Sequence, residues 1–306
     1  MEKVFSGYAL FFVLFLTVVA AIVDIVHPAF PEQLKVQKNW RALMAPILHA
    51  NLSKSSHESN QSSAKYLAVH GWIPPDDGAT EYYGLEATMD VYGFNLEHGQ
   101  QTGGFIWIYN SDETPAANVI HAGWNVDPES YNDSQTHFTT SWFVEESKKG
   151  CLDMRCPGFQ RTGGSHPFVP GQVINPVSST SRRKQYINVR VSKDQNSGDW
   201  EIYFGFDGKA KIIGYYPRSL FTSLSNKPVN IVFGGFAFWK EHKPSPPMGS
   251  GIAPPKNAAS FSNLKFFDAA GNAHPIDHDL AHVSDCYPVT DVRDGMFSYG
   301  GPGNVC

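Results

Sequence analysis

The chain lacks an excess of positive charge and the short motifs of nucleotide and ester chemistry. Its 24 Lys and Arg residues are outnumbered by 29 Asp and Glu residues, which gives a formal net charge of −5. A surface that tracks nucleic-acid phosphates is therefore not expected. No Gly-x-Ser-x-Gly elbow, phosphate loop or dinucleotide fingerprint occurs. We therefore expect no nucleic-acid partner and no cofactor.

Long amphipathic helices are also missing after Tyr66. Instead, apolar and polar residues alternate in short segments, for example over residues 85–91, 120–126 and 187–191, as in half-buried strands. Residues 105–109 form an apolar run typical of a buried strand. Many strands without helical crossovers favour antiparallel sheets. We predict an all-β fold, an antiparallel β-sandwich of two sheets that resembles a jelly roll.

The N-terminus carries an uncharged apolar run over residues 4–23, directly after Lys3. Ala20 and Ala21 provide small residues for cleavage, so we predict a signal peptide over residues 1–23. A run of about 20 residues can also span a bilayer, so an uncleaved anchor stays open as the alternative. We expect a secreted protein without membrane contact after cleavage, or a membrane-anchored one with its domain in the lumen or outside the cell.

The four cysteines form an even set, which in an oxidising compartment makes two bridges most simply. Three connectivities are possible. We predict Cys151–Cys156 and Cys286–Cys306, because each closes a short local loop. The spacings do not fit structural zinc motifs.

Three glycosylation sequons, at Asn51, Asn60 and Asn132, agree with a secretory route. Residues 51–65 form a polar, serine-rich stretch that is typical of a linker. We therefore divide the chain after the signal into an N-terminal extension, residues 24–65, and a strand-rich domain, residues 66–306.

Three histidines, His274, His278 and His282, recur every four residues and would share one face of a helix. Pro275 interrupts the opening turn of such a helix, and no Glu adjoins a His as in zinc proteases. We therefore predict a solvated connection here and no metal site.

Several strings together resemble the neprosin family of plant proteins with a C-terminal peptidase-like domain. They include Gly-Cys-Leu-Asp-Met-Arg-Cys-Pro-Gly-Phe at 150–159, Gly-Tyr-Tyr-Pro-Arg-Ser-Leu-Phe at 214–221, Met-Gly-Ser-Gly at 248–251 and Tyr-Gly-Gly-Pro-Gly at 299–303. The resemblance covers residues 66–306. It implies a two-sheet antiparallel sandwich, preceded by an activation peptide that residues 24–65 represent in shortened form.

The resemblance also implies a glutamic peptidase that cleaves after proline. Such chemistry needs an ionised carboxylate that activates water and a protonated one that donates to the leaving group. The matching positions here are His121, in Ile-His-Ala-Gly-Trp, and Phe236, in Phe-Gly-Gly-Phe. Neither is a glutamate.

This replacement leads to three hypotheses. The first is a pseudo-peptidase that binds peptide or cell-wall material in the inherited cleft. The second is an active peptidase with a rearranged site that uses His121, and the third is a carbohydrate-binding jelly roll. No replacement acid–base pair stands out among the other carboxylates of the domain, which include Glu86, Asp90, Glu145 and Glu146.

Overall fold

Two antiparallel sheets make up the structure, a computed structural model. It describes residues 63–72, 81–110, 118–144, 147, 149–163, 167–179, 183–206, 208–225, 227–240, 242–278, 281–284 and 286–306. The predicted signal segment, most of the N-terminal extension, Asn51 and Asn60 lie outside these residues.

The first sheet has seven strands. With numbers in chain order, its spatial order is β15 (Ala281–Ser284), β1 (Ser63–Trp72), β11 (Asn230–Lys240), β3 (Gln100–Asn110), β4 (Asn118–Val126), β5 (Thr136–Val144) and β6 (Lys149–Leu152). The central strands β11, β3, β4 and β5 are paired antiparallel in continuous register. This register decides which side chains share a face.

The second sheet runs β12 (Met248–Gly249), β16 (Phe297–Gly301), β13 (Ala259–Phe267), β2 (Gly84–Asp90), β8 (Tyr186–Lys193), β9 (Trp200–Phe206), β10 (Lys211–Tyr216) and β7 (Gln160–Arg161). A short strand, β14 (Ala273–Pro275), pairs with β13. The architecture confirms the predicted all-β sandwich.

The core lies between the sheets, because successive residues of a strand point to opposite faces. On β4, Ile120, Ala122 and Trp124 enter this core, and so His121 and Asn125 point away from it. This confirms the predicted alternation along residues 120–126. We call the side of the first sheet that points away from the second sheet its outer face.

Helices are short among the described residues. The helix α1 (Pro128–Tyr131) begins after Asp127, whose carboxylate accepts a hydrogen bond from the Ser130 N–H at 3.1 Å. Asn132, an exposed sequon residue, ends α1 in the left-handed conformation. Single 3-10 turns occur at Arg218–Leu220 and Ser223–Ser225.

The structure also bears on the predicted disulfides and on helices that could cross a membrane. The bridges Cys151–Cys156 and Cys286–Cys306 are confirmed. No helix in the described part of the chain has the length and apolar character needed to cross a membrane.

The histidine series at 274–282 does not form the helix that a metal site would need. His274 lies on β14 and donates or accepts a hydrogen bond with Asp268 at 2.8 Å, whereas His282 lies on β15. The described residues contain no group of three or more potential metal ligands.

Candidate functional site

His121 and Phe236 lie on the outer face of the first sheet, on strands that are separated only by β3. His121 on β4 is opposite Trp107 of β3, and Phe236 on β11 is opposite Gly103 of β3. Gly103 and Trp107 are four positions apart on β3, so they point to the same face of the sheet. Their partners Phe236 and His121 therefore share that face. The structure therefore brings the two family positions together.

The ring of Phe105 lies between these two side chains. Its centroid is 4.7 Å from that of His121 and 5.1 Å from that of Phe236. The rings lie over glycines: a Cβ at Gly103 would come within 2.8 Å of Phe236 Cε1, and one at Gly123 within 2.8 Å of Phe105 Cδ1. Phenylalanine rings thus fill the space directly above the middle of the sheet.

These rings continue into a larger apolar surface, which we call the aromatic face. Its members are the outward residues of β1, β11 and β3, namely Leu67, Val69, Val232, Phe236, Phe238, Phe105 and Trp107. All are buried, yet none belongs to the core cluster between the sheets. The middle of the first sheet therefore carries apolar side chains on both of its sides.

His121 is a buried neutral imidazole. Its Nδ1 is 2.8 Å from the hydroxyl of Ser141, which lies directly opposite it on β5. Burial lowers the pKa of His121 from its ordinary value to about 3, because the charged form loses its hydration. At any pH above this, His121 can accept a proton only against a large desolvation penalty.

A polar cluster lies beside the aromatic face, around the buried carboxylate of Asp153. One of its oxygens accepts a hydrogen bond from the Tyr131 hydroxyl at 2.6 Å, and the other accepts from Thr139 Oγ1 at 2.9 Å and the Thr140 N–H at 3.1 Å. Burial raises the pKa of Asp153, although these hydrogen bonds act to lower it. Since both oxygens are engaged, Asp153 holds Tyr131 and Thr139 in place.

Tyr131 also contacts two further side chains. Its ring stacks on that of His137 at 3.8 Å, and the Arg155 guanidinium lies 4.8 Å from the ring centroid. His137 is fixed in turn by Asp133 at 3.0 Å and the Gly171 carbonyl at 2.8 Å. These contacts join Tyr131, His137, Asp133 and Arg155 to Asp153 in one polar cluster beside the aromatic face.

Asn125 of β4 lies between the polar cluster and the aromatic face. It pairs with Gly103 of β3 on one side and with His137 of β5 on the other. It is 1% exposed, and its Oδ1 has no hydrogen-bond partner among the described residues. A buried acceptor without a donor costs about 1–3 kcal/mol. This oxygen is therefore available to a donor that the described residues do not supply.

The other carboxylates named from the sequence do not replace the missing pair. Glu86 and Asp90 belong to the second sheet, where they form ion pairs with Lys265 at 2.8 Å and Lys184 at 2.7 Å. Glu145 and Glu146 lie outside the described residues. Neither Glu86 nor Asp90 therefore lies beside His121 and Phe236.

Comparison with known proteins assigns the family. The Neprosin family model matches residues 98–302, which is more than half of the chain, and the chain therefore belongs to this family. Among solved structures, the chain is similar to a scytalido-glutamic peptidase in complex with a peptide-based transition-state analogue, with 9% identity, 79% of this chain and 100% of that chain covered and a TM-score of 0.40. A β-porphyranase from the human gut bacterium Bacteroides plebeius matches with 11% identity, 60% and 75% coverage and a TM-score of 0.27.

Sequence reasoning missed the neighbours that define this site. Phe105 was assigned to a buried run, but not to a position between His121 and Phe236. Ser141 and Thr139 lie on β5, whose sequence Thr-His-Phe-Thr-Thr-Ser-Trp-Phe-Val has no clear apolar alternation. The only sequence signal for the polar cluster is that Tyr131, Asp133 and His137 follow one another at intervals of two and four residues, shortly after Gly123-Trp124.

Proposed function

We propose that this chain is a secreted, non-catalytic member of the Neprosin family that binds peptide segments on the first sheet. The observation that carries the proposal is the Phe105 ring between His121 and Phe236, where a peptidase of this family needs two carboxyl groups. Phe236 has no transferable proton, and His121 is a buried imidazole with a pKa of about 3. Each lost acid or base role removes about 10²–10⁴ in rate.

The same surface supports peptide binding. The aromatic face has apolar contacts for side chains and Asn125 Oδ1 is an acceptor for a peptide N–H, and because these groups are buried a peptide reaches them only when this face opens. Binding sites commonly combine an apolar surface with a few fixed polar groups. We therefore propose an apolar peptide as the ligand, whether free or part of cell-wall material.

Cleavage of proline-containing peptides across the acidic pH range tests the absence of catalysis. We expect no turnover by the unmodified protein. His121→Glu and Phe236→Glu together are expected to restore measurable acidic cleavage, provided that circular dichroism shows a folded variant, whereas either change alone should not. Robust cleavage by the unmodified protein that is abolished by His121→Ala would overturn the proposal.

The contact between Ser141 and His121 supports a second candidate, a hydrolase with Ser141 as nucleophile and His121 as base. It is the weaker candidate, because the imidazolium that such a reaction forms is disfavoured by burial. A fluorophosphonate probe decides the matter. Labelling of the unmodified protein, lost in both Ser141→Ala and His121→Ala, would favour the hydrolase.

Secretion is part of the proposal. Two disulfides are compatible with an oxidising compartment, and the sequon at Asn132 is exposed. We expect the secreted protein to begin near Ala21 and to carry a glycan at Asn132. N-terminal sequencing and mass spectrometry before and after enzymatic deglycosylation measure both, and an intact Met1 in a membrane fraction would favour the anchor instead.

A further inference from the structure

The two ring nitrogens of His137 both face hydrogen-bond acceptors. Nδ1 is 2.8 Å from the carbonyl oxygen of Gly171, and Nε2 is 3.0 Å from Oδ1 of Asp133. A neutral imidazole carries one N–H and can donate to one of these oxygens, whereas an imidazolium can donate to both. His137 is 5% exposed, so water does not readily replace the bond that a neutral ring loses. The geometry therefore fits the protonated ring.

Asp133 is an acceptor in this arrangement and not a protonated donor. Its Oδ1 also accepts a hydrogen bond from the Gln135 N–H at 2.8 Å. Partial burial alone would raise the pKa of Asp133, but the hydrogen bonds from His137 and Gln135 outweigh burial and lower the pKa. The carboxylate is therefore ionised in mildly acidic and in neutral solution.

The charges around His137 also favour the protonated ring. The titratable and charged groups beside it come from α1 with its flanks and from the segment after β6, namely Asp127, Glu129, Tyr131, Asp133, Asp153 and Arg155. Residues 167–174, which bond the ring through Gly171, contribute none. Glu129 is paired with Lys240 at 3.2 Å. The three aspartates share the charge of Arg155, so a second cation beside them is stabilised.

His137 joins three parts of the chain beside the candidate site. It lies on β5, its ring stacks on that of Tyr131 in α1 at a centroid distance of 3.8 Å, and its hydrogen bonds reach Asp133 and Gly171. The face of an aromatic ring attracts a cation, so this stack also favours the imidazolium. Asn125, with its buried Oδ1, lies directly across on β4. We call His137 with its two acceptors the histidine bridge.

We propose that the histidine bridge controls access to the candidate site: it holds the polar cluster closed beside Asn125 when His137 is protonated and releases it when the ring loses its proton. The structure has both ring bonds made and Asn125 buried, so it corresponds to the closed form. Histidine side chains change charge between about pH 5 and 8. A peptide should therefore bind near neutral pH and be released in an acidic compartment. This consequence rests on the proposed function, whereas the bridge itself does not.

NMR of the whole protein labelled with ¹⁵N-histidine tests the bridge directly. We expect both ring nitrogens of His137 to carry protons at about pH 5, and one proton to be lost by about pH 8 together with a shift of the Tyr131 ring signals. His274 is the internal control, because it also stacks on an aromatic ring and bonds Asp268, but lies partly exposed on β14. Its titration should leave the Tyr131 signals unchanged. One protonated nitrogen on His137 at the acidic end, or two at the neutral end, would overturn the inference.

Asp133→Asn should disable the bridge without removing the histidine. The side-chain amide can donate to an unprotonated Nε2, so a neutral ring keeps both bonds. Asp268→Asn, at the partner of His274, is the matched control. The probe is a fluorescein-labelled apolar peptide of alternating leucine and alanine. For the unmodified protein and the control we expect about tenfold tighter binding at about pH 8 than at about pH 5, the effect of losing one buried hydrogen bond, and less than about twofold for Asp133→Asn.

The two experiments separate the bridge from the proposed function. Equal peptide binding at both pH values by the unmodified protein, or a tenfold difference that persists in Asp133→Asn, would overturn control by the bridge and keep the proposed function. The expected NMR change without peptide binding at either pH would keep the bridge and overturn the proposed function. Circular dichroism at both pH values checks that each variant is folded, and the NMR titration of the unmodified protein decides the matter if Asp133→Asn is not.

Discussion

The two sheets of this sandwich differ most on the sides that face away from each other. The outer side of the second sheet is polar and internally paired: Glu86 bonds Lys265 at 2.8 Å, and Asn188 bonds Thr88 at 2.7 Å. On the same side, Arg190 lies 4.6 Å from the ring centroid of Tyr203. The outer side of the first sheet carries the aromatic face. An antiparallel sheet that meets water on one side normally alternates apolar and polar residues. The first sheet departs from this rule, because the middle of its outer side is apolar and buried.

The difference also bears on chemistry. A carboxylate on the second sheet is hydrated or paired with a lysine, whereas one in the middle of the aromatic face would lose its water without gaining a cation. Burial of an unpaired charge is costly. The aromatic face therefore suits apolar contact better than acid–base catalysis, and the following experiments compare the two sides directly.

Truncation of Phe236 should have the largest effect. Phe236→Ser removes a ring that is 2% exposed, and we expect a loss of about 3–5 kcal/mol in the free energy of unfolding. Tyr203→Ser, its match on the second sheet, removes a half-buried ring and should cost about 1–2 kcal/mol less. Urea unfolding monitored by tryptophan fluorescence measures both. Equal losses would mean that the two sides are buried alike.

Addition of one methyl group under the rings should have the next largest effect. A Cβ at Gly123 would lie 2.1 Å from the Gly104 carbonyl oxygen and 2.8 Å from Phe105 Cδ1. Gly123→Ala should therefore destabilise the protein by about 1–3 kcal/mol. Gly163→Ala is the control, because its Cβ would meet no atom within 4 Å. A neutral Gly123→Ala would show that both the backbone of β3 and the Phe105 ring shift freely to admit the methyl group.

Stability should depend on pH in opposite directions for the buried carboxylate of Asp153 and the exposed one of Asp268. Burial raises the pKa of Asp153, so the stability that comes with its protonation is present below the pKa of the unfolded chain and is lost as the pH rises through the folded pKa. Asp153→Asn should remove this loss and so flatten the dependence of stability on pH. Unfolding measured from acidic to neutral pH tests it, and an unchanged slope would contradict it.

Asp268 should contribute to stability with the opposite dependence on pH. The hydrogen bond from His274 and backbone N–H groups lower its pKa to about 2, so its contribution is present above the unfolded pKa and is lost as the pH falls through about 2. Asp268→Asn should therefore lose stability at neutral pH but not at the acidic end of the same titration. A loss of equal size at both ends would contradict this assignment.

The smallest effect is expected for the surface pair of the second sheet. Glu86→Gln removes a partly exposed ion pair with Lys265, and such pairs contribute about 0–1 kcal/mol. Thermal unfolding at low and high salt measures it, and the difference should shrink in salt. A loss above 2 kcal/mol, which would exceed the roughly 1 kcal/mol expected of a surface pair, would show that this side is also buried.

The sequence predicted those strands whose inward residues are apolar and whose outward residues are polar. The alternation over residues 85–91 and 120–126 was visible because inward and outward residues differ in polarity. β1 begins at Ser63, three residues before Tyr66, the predicted start of the strand-rich domain. Its pairing with β11 extends into the polar stretch that was predicted to be a linker. β5 was not predicted, because Thr136 and Thr140 lie on its inward side with Phe138 and Trp142 and so interrupt the apolar alternation; their hydroxyls are satisfied by the carbonyls of Tyr92 and His121.

The sequence predicted only part of the candidate site. Local strings identified His121 and Phe236, and alternation placed His121 outside the core. The position of Phe105 between them depends on the register of β4, β3 and β11, which joins residues more than 100 positions apart. Likewise, the contact of Tyr131 with Asp153 follows from tertiary packing and carries no local signal.

The pairing of β1 with β11 has a consequence for synthesis of the chain. β1 is made early, but its two neighbours, β11 and β15, belong to the last third of the sequence. Until these strands emerge, β3 has an open edge and Phe105 and Trp107 lack their neighbours on β11. Such long-range pairing slows folding and exposes strands that associate with other chains. Nascent chains that end before Asn230 should therefore depend on chaperones in a way that the complete chain does not.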